Sequence, residues 1–448
     1  MADSNVRRLP EEVVTLVALF VRDANTVFAF LEALRPANLL GPLEPLWQLG
    51  LVKSRTDLWP DLDIRHDDEN LTEESQLHLL SAMKFYDRVF IYGRPNFPWT
   101  LANFKKNVEF WWSEWNIDPD FETSWIAQIS ERVVALYLPN MLEKNETNML
   151  LDQFPRFTNL RSLELYLDEP WYLKDLFDFL ADESQITDLV LRHRGTADIL
   201  DIEVTDSTAE SIIRWIENLY VEVFQFSRWN IQIENDDLRD YFFDTIFSSD
   251  SLRTLVCDES NLSGIDFASF SYPMDYLELH VCDLSQLDIQ NLAIGLKDSN
   301  VRDFMISYIS TEEFIGFRDL LRGLNETSIT KLQLSQCNFR DEHWVQLARC
   351  LKTCVLTSLS VCSTGWSRRS VISIANAIKS NNSIEHLALD DEPVGFIGIV
   401  LLIKSGTSPE RAVQLRSIDV VNCGLRRKEV LAIQKFAHEC GVKIKLNR

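Results

Sequence analysis

The sequence predicts an α/β solenoid curved into a horseshoe, with parallel strands on the concave face, helices on the convex face and a small helical module at the N-terminus. Two observations predict it: a short apolar pattern recurs eleven times, and stretches with helical spacing separate its copies. At 448 residues the chain is longer than one hydrophobic core usually supports, so growth by repeats accounts for its length.

The recurring pattern is apolar-x-x-apolar-x-apolar, with its apolar residues at positions 1, 4 and 6. Successive copies begin 22 to 35 residues apart, a period typical of units that pair a strand with a helix. Stacked units bury a core that no single unit could bury alone. The copies begin at Val133, Leu160, Ile186, Val221, Leu252, Met274, Val301, Ile329, Leu356, Ile384 and Leu415.

Further segments extend the pattern. A weaker match begins at Tyr86, and the alternation of Val442, Ile444 and Leu446 predicts a last strand. Between the copies, one apolar stripe is formed by Trp344, Leu347, Ala348 and Leu351, and another by Val371, Ile374, Ala375 and Ile378. We expect these stripes to be helices that pack on the sheet.

The eight cysteines all lie in the second half of the chain, without a CxxC pair or a closely spaced Cys/His quartet. Cys282, Cys337 and Cys423 occupy position 9 of the pattern, where a polar side chain satisfies backbone groups at the turn after the strand. We therefore expect reduced, mostly buried thiols, and neither a metal site nor redox chemistry.

Two segments carry a family resemblance. ITKLQLSQCNF at residues 329–339 and LRSIDVVNCGL at residues 415–425 resemble the leucine-rich repeats of the ribonuclease-inhibitor-like superfamily. The resemblance implies a leucine-rich-repeat array over residues 131–448 that binds another macromolecule on its concave face.

Residues 1–62 lack the repeat and show three apolar helical patterns, around 11–21, 24–34 and 43–53. LPEEVVTLVALFVRDANTVFAFLEAL, from Leu9 to Leu34, resembles an F-box, whose helices dock the Skp-type adaptor of a cullin-RING ubiquitin ligase while the repeats select the substrate. The third helix departs from the family, since it lacks the Val-Cys-x-x-Trp motif. The resemblance implies adaptor contacts by Leu9, Pro10, Glu12 and Val13. The alternative is that these helices only cap the array.

Residues 63–130 are rich in aromatic side chains and form either a connecting segment or a degenerate first repeat. In FWWSEW, at residues 110–115, the spacing of Trp111, Trp112 and Trp115 predicts one face of a helix, turned towards the core.

The residues between the core positions of each strand point outward, so the pattern identifies which residues form the concave surface. Large, charged and aromatic side chains concentrate in the earlier copies, which predicts a partner-binding site there. Its members are Tyr166, Arg192, His193, Arg228, Asp258, Glu278, His280 and Tyr308. The competing interpretation is that an exposed strand face is polar in any case.

Composition and motifs limit the function classes. The net charge of −24 disfavours nucleic acid and anionic membranes and favours a partner with a basic patch. No phosphate loop, dinucleotide fingerprint, zinc-protease motif or nucleophile elbow is present, so we expect no enzyme, cofactor or metal. Without a secretory signal or membrane span, a cytoplasmic or nuclear protein is expected, monomeric outside its complex.

The sequence therefore predicts a non-enzymatic interaction protein, with an F-box-type substrate-recognition subunit as the leading interpretation. The alternatives are a scaffold or inhibitor of the ribonuclease-inhibitor kind with a capping N-terminus, and a GTPase activator of the Ran type.

Overall fold

The structure is a computed structural model that describes residues 10–65, 68, 71–93, 104–113, 129–142, 151–167, 173–193, 202–308 and 314–446. Helices alternate with parallel strands, which confirms the predicted α/β class. The chain divides into two compact units. Unit 1 comprises residues 1–169 and 183–186, and unit 2 comprises residues 170–182 and 187–448.

Unit 1 begins with helices and continues with a parallel sheet. Its described helices are α1 (Glu11–Phe20), α2 (Ala24–Leu34), α3 (Glu44–Leu49) and α4 (Glu73–Ala82). Its described strands are β1 (Leu62–Ile64), β2 (Arg88–Tyr92), β3 (Glu109–Ser113), β4 (Val133–Leu142) and β5 (Ser162–Leu167). The strands pair in parallel in chain order, so strand pairing begins well before the first of the eleven aligned copies.

The three predicted N-terminal helices are present. The Asp23 carboxylate caps α2 by accepting a hydrogen bond from the Thr26 N–H at 2.8 Å, and this bonding lowers the pKa of Asp23. The third helix is shorter than the pattern indicated and ends at Leu49. Gly50 follows it with its backbone against the Phe28 ring, where an added Cβ would lie 2.1 Å from a ring carbon. A residue without a side chain is therefore required for α3 to approach α2.

Unit 2 contains the longer repetitive part of the chain. Its described helices are α5 (Leu173–Asp182), α6 (Asp206–Asn218), α7 (Asp236–Ser248), α8 (Gln286–Gly295), α9 (Phe314–Gly323), α10 (Asp341–Leu351), α11 (Arg368–Ser380), α12 (Gly395–Gly406) and α13 (Arg427–Glu439).

The main sheet of unit 2 is parallel throughout. Its strands, in spatial order, are β6 (Asp188–His193), β8 (Val223–Ser227), β10 (Thr254–Asp258), β11 (Tyr276–His280), β12 (Asp303–Ser307), β13 (Lys331–Ser335), β14 (Ser358–Cys362), β15 (His386–Ala388), β16 (Ser417–Asp419) and β17 (Lys443–Lys445). A separate parallel pair joins β7 (Ile202–Thr205) to β9 (Trp229–Gln232). All nine strands predicted between residues 186 and 420, and the last strand, are confirmed.

Register and burial follow the pattern. Leu277 pairs with Leu255 on one side and with Phe304 on the other, so position 4 forms a continuous row across strands, and all three side chains are buried. The predicted stripes on α10 and α11 are buried as well, which confirms their assignment as core-facing helices. The core of unit 2 therefore lies between the helices and the face of the sheet that carries positions 4 and 6.

The turn after each strand repeats an uncommon backbone conformation. Position 8 is left-handed without being glycine in eight consecutive copies, at Arg228, Glu259, Val281, Tyr308, Gln336, Ser363, Asp391 and Asn422. Such residues are rare outside turns. The repetition shows that the copies share a backbone turn as well as an apolar pattern.

Position 9 supplies the side chains that satisfy this turn. The Cys282 thiol donates to the Cys257 carbonyl at 3.2 Å, and the Cys423 thiol donates to the Leu389 carbonyl at 2.6 Å. In two other copies, the Ser260 hydroxyl donates to the Asp258 carbonyl at 2.7 Å, and the Glu392 carboxylate accepts a hydrogen bond from the Thr364 N–H. The prediction that the position-9 cysteines belong to the scaffold is confirmed at Cys282 and Cys423. Cys337 donates within its own copy, to the Ser335 carbonyl at 3.4 Å.

Candidate interaction surfaces

Helix α1 presents an apolar stripe to solvent. Val13, Leu16, Val17 and Phe20 are spaced as i, i+3, i+4 and i+7, which places them on one helical face, and their exposed fractions are 38, 55, 44 and 83%. Exposed apolar side chains are ordinary singly, but a contiguous row on one face is typical of an interaction site. The stripe is therefore the first candidate surface.

The opposite face of α1 holds the helix in place. Val14 and Ala18 are buried, and the turn at Gly41–Leu43 packs against the helix. The Trp59 indole N–H donates to the Val21 carbonyl just after α1, at 2.6 Å. The apolar stripe therefore lies on a helix whose opposite face packs against other residues of unit 1.

The structure places the predicted adaptor contacts as follows. Pro10 and Glu12 are exposed at the start of α1, and Val13 begins the apolar stripe. Leu9 lies outside the described residues. Leu16, Val17 and Phe20 were not singled out from the sequence, although the i, i+3, i+4, i+7 spacing from Val13 was there to find them.

The third helix packs differently from the first. Leu46 and Leu49 of α3 are fully buried, and α3 lies against α4. The buried ion pair between Lys53 and Asp68, 2.6 Å apart, links the segment after α3 to the segment after β1. The later part of the helical module therefore covers apolar surface of unit 1, as a cap would.

A polar cluster lies on the outward sheet face of unit 2. His280 Nδ1 is 2.6 Å from Asp258 Oδ1, and this hydrogen bond raises the pKa of His280 despite partial burial. Glu278 lies two residues before His280 on the same face of the sheet. Its Oε2 accepts a hydrogen bond from the Tyr276 hydroxyl at 2.5 Å. Burial raises the pKa of Tyr276, with a further contribution from Glu278. Asp258, Glu278 and His280 are thus brought together.

The other basic residues of the predicted site lie at the strand ends. Arg192 and His193 end β6, and the His193 backbone N–H donates to the Ser227 hydroxyl at 2.7 Å. Arg228 follows β8, and its Nε lies 3.6 Å from Glu259 Oε2. Since β6, β8, β10 and β11 are successive in the sheet, these residues share its carboxyl edge with Asp258 and His280.

The two tyrosines of the predicted site differ in exposure. Tyr308, at the left-handed position after β12, is 58% exposed. Tyr166 lies on β5 of unit 1, is only 8% exposed, and packs edge-on against Tyr137 with ring centroids 6.2 Å apart. Tyr166 therefore contributes little surface, because a neighbouring ring covers it.

The prediction of a helix over residues 110–115 is wrong. Phe110, Trp111 and Trp112 lie on β3, where Phe110 and Trp112 are buried and Trp111 points to the other face. The Trp112 indole N–H donates to the Gly93 carbonyl at 3.0 Å. Trp115 lies outside the described residues. Two adjacent tryptophans are compatible with the 3.6-residue period of a helix and with the two-residue period of a strand. In the structure they lie on a strand.

Strand β3 contributes to an aromatic surface that was not predicted from the sequence. Phe90, Tyr92, Trp111 and Tyr137 line a depression of about 310 Å³ on the outward sheet face of unit 1. Phe90 and Trp111 lie 5.3 Å apart between ring centroids, and the Arg88 guanidinium lies over both rings. The alternation in RVFIY and EFWWS was the available signal.

The described part of the chain holds neither a metal-binding cluster nor a membrane-spanning helix. No group of three or more His, Cys, Asp or Glu side chains there is arranged to hold a metal ion. Among the same residues, every helix is too short or too polar to cross a membrane.

Comparison with known proteins adds no relative. The chain matches no protein family model, and a search of curated proteins returns no similar sequence.

Proposed function

We propose that the chain is a leucine-rich-repeat solenoid that acts as a non-enzymatic interaction protein, specifically an F-box-type substrate-recognition subunit of a cullin-RING ubiquitin ligase. In this proposal α1 docks a Skp-type adaptor and the outward sheet face of the repeats holds the substrate. The observation that carries the proposal is the exposed stripe of Val13, Leu16, Val17 and Phe20 on an anchored helix.

The stripe has the form expected of a helix that enters an apolar groove on a partner. Helix-in-groove recognition uses apolar anchors at i, i+3, i+4 and i+7, which is the spacing found here. Burying one large apolar side chain contributes about 1.5–3 kcal/mol, so Leu16 and Phe20 together are sufficient to dominate such an interface.

The resemblance of residues 9–34 to an F-box supports the same assignment. It implied that the start of the first helix contacts the adaptor, and Val13 is both a residue named by that resemblance and the first member of the stripe. The cytoplasmic or nuclear location expected from the sequence is compatible with this role.

The substrate surface is proposed on the outward sheet face of unit 2. Arg192 and Arg228 share the carboxyl edge of the sheet with Asp258 and His280, so the face carries both signs of charge over successive strands. Alternating charges of this kind give orientation and specificity more than raw affinity. The substrate is a folded protein or a peptide with complementary charges.

Adaptor binding is tested with the double substitution L16E/F20E in the full-length chain. Both side chains are exposed, so the substitutions leave the melting temperature unchanged, while adaptor affinity falls at least about hundredfold because two apolar anchors are lost. The matched control is L77E/I397E, which alters two side chains that are 63 and 79% exposed on α4 and α12. Gel filtration with purified adaptor checks both. Equal binding by L16E/F20E and the control contradicts the proposal.

The packing of α3 against α4 favours a second candidate, a stoichiometric inhibitor or scaffold whose N-terminal helices only cap the repeats. Under that function, L16E/F20E has no effect on any partner. Removing residues 1–60 instead lowers the melting temperature and the solubility, because Leu46 and Leu49 no longer cover apolar surface.

A further inference from the structure

The layer of helices in unit 2 is interrupted at one place. Neighbouring helices pack side by side from α5 to α7 and again from α8 to α13, but α7 and α8 do not form a comparable pair. The chain between β10 and β11 contains no helix, and residues 259–275 cross from one strand to the next as irregular backbone. One side of α7 therefore lacks the helical neighbour that the other repeats provide.

A groove of about 670 Å³ lies along this side of α7. Its floor is apolar, formed by Phe243 of α7 and by Ile265 and Phe270 of the irregular connection. Its walls are the exposed turns of α7 on one side and residues 261–266 on the other. Helices pack at interaxial distances of about 8–10 Å, so the side of α7 that lacks a helical neighbour is suited to a helix laid along the groove.

The rim of the groove is acidic. Asp240 and Asp244 lie one turn apart on α7, are exposed, and neither accepts a hydrogen bond nor forms an ion pair among the described residues. Asp266 lines the groove from the connection, and its Oδ1 accepts hydrogen bonds from the Ala268 N–H at 3.3 Å and from Asn291 Nδ2 at 3.5 Å. The one cation in the lining, Arg239, is 3.1 Å from Asp236, so it is already engaged outside the groove. The lining therefore carries three carboxylates and one guanidinium, which gives it a net negative charge.

We propose that this groove is a docking site for an amphipathic basic helix of a partner protein. The apolar side of that helix covers Phe243, Ile265 and Phe270, and its Lys or Arg side chains pair with Asp240, Asp244 and Asp266. The inference goes beyond the proposed function, because the groove involves neither α1 nor the outward face of the sheet. Its failure therefore leaves adaptor docking untouched.

The test uses the full-length chain and two synthetic 18-residue peptides of identical Leu and Lys composition (about five helical turns). In the first peptide, leucines at i, i+3, i+4 and i+7 form one apolar face on a helix. In the second, the same residues are ordered so that no such face exists. Affinity is measured by fluorescence anisotropy, and the binding site is located by amide hydrogen exchange.

Two variants and one control locate the interaction. D240K/D244K reverses the rim charge and S269W fills the groove from an exposed lining position. The control D250K/D298K makes the same charge change at two exposed acids that lie outside the groove and have no ion pair among the described residues. The melting temperature of each variant reports whether the fold is retained.

The expected result is protection of residues 239–244 and 261–270 by the amphipathic peptide. D240K/D244K weakens binding by about tenfold, through lost and reversed ion pairs, and the charge control changes it by less than about threefold. S269W weakens it as well. Three outcomes overturn the proposal: protection of other residues, equal affinity for the two peptides, or an equal loss of affinity in D250K/D298K. Each would mean that the peptide is attracted by the general negative charge of the protein.

Discussion

His280 Nδ1 lies 2.6 Å from Asp258 Oδ1, across the register pair that joins β11 to β10. The imidazolium is stabilised by this carboxylate, so the pKa of His280 is raised above its ordinary value of 6.5. Because the folded pKa is the higher one, the contribution of the pair to stability is complete below about pH 6.5 and is lost as the pH rises through the folded pKa.

The first prediction concerns this pair. D258N removes the negative charge while keeping the shape of the side chain, so the pKa of His280 falls towards the ordinary imidazole value. Histidine ring resonances followed by NMR across the titration measure the change. D319N on α9 is the control and leaves the His280 titration in place. An unchanged His280 pKa in D258N would show that Asp258 is not the cause of the shift.

The second prediction concerns Asn381, which is buried after α11. Its Nδ2 donates to the Leu351 carbonyl at 2.7 Å and to the Cys354 carbonyl at 3.1 Å, while its Oδ1 accepts from the Ser383 and Ile384 N–H groups at 2.8 Å each. N381A leaves these groups without partners and lowers the free energy of unfolding by about 3 kcal/mol. Urea denaturation measures it.

The neighbouring residue supplies the control for Asn381. Asn382 is exposed and makes one hydrogen bond, from the Ala412 N–H, so N382A costs less than about 1 kcal/mol. Equal costs for the two substitutions would contradict the role assigned to Asn381.

The third prediction concerns the buried ion pair of Lys53 and Asp68, whose side chains are 7 and 6% exposed. K53M leaves the Asp68 carboxylate buried without its cation and lowers the free energy of unfolding by about 3–5 kcal/mol. K105M breaks an exposed pair with Asp87 and costs less than about 1 kcal/mol. Thermal denaturation separates the two cases. Similar losses would mean that burial does not govern the pair.

The fourth prediction concerns the thiols. Burial raises the pKa of Cys354 to about 11 and of Cys423 to about 12, and it raises the pKa of Cys257 well above its ordinary value. Since the thiolate is the reactive form, iodoacetamide at pH 8 modifies these three cysteines more slowly than it modifies the partly exposed Cys362. Mass spectrometry of the native protein gives the rates, and unfolding in urea equalises them. Uniform rates in the native protein would contradict the burial of these thiols.

The sequence predicted the strands well because the repeat combines many weak signals at fixed spacing. Segments such as the one at Val221, unconvincing alone, were placed by their neighbours in the series and are strands in the structure. The prediction of secondary structure failed where the repeat pattern is weak. Trp111 and Trp112 satisfied a helical and a strand period equally, and β1 has only three residues, too few for any period to show.

The candidate surfaces were predicted less completely, for two physical reasons. Exposure depends on tertiary neighbours, so the sequence could not show that Tyr137 covers Tyr166 or that Phe20 is 83% exposed. The groove beside α7 exists because no helix lies between β10 and β11. The only sign of this in the sequence is the short spacing of 22 residues between the copies that begin at Leu252 and Met274.

Docking of an adaptor through α1 is tested by amide hydrogen exchange on the full-length chain, measured with and without a purified Skp-type adaptor. We expect the adaptor to slow exchange over Glu11–Phe20, whose apolar stripe is exposed in the free chain, and to leave α10 and α11 unchanged. Unchanged exchange over Glu11–Phe20 at saturating adaptor, or protection confined to the repeats of unit 2, would contradict it.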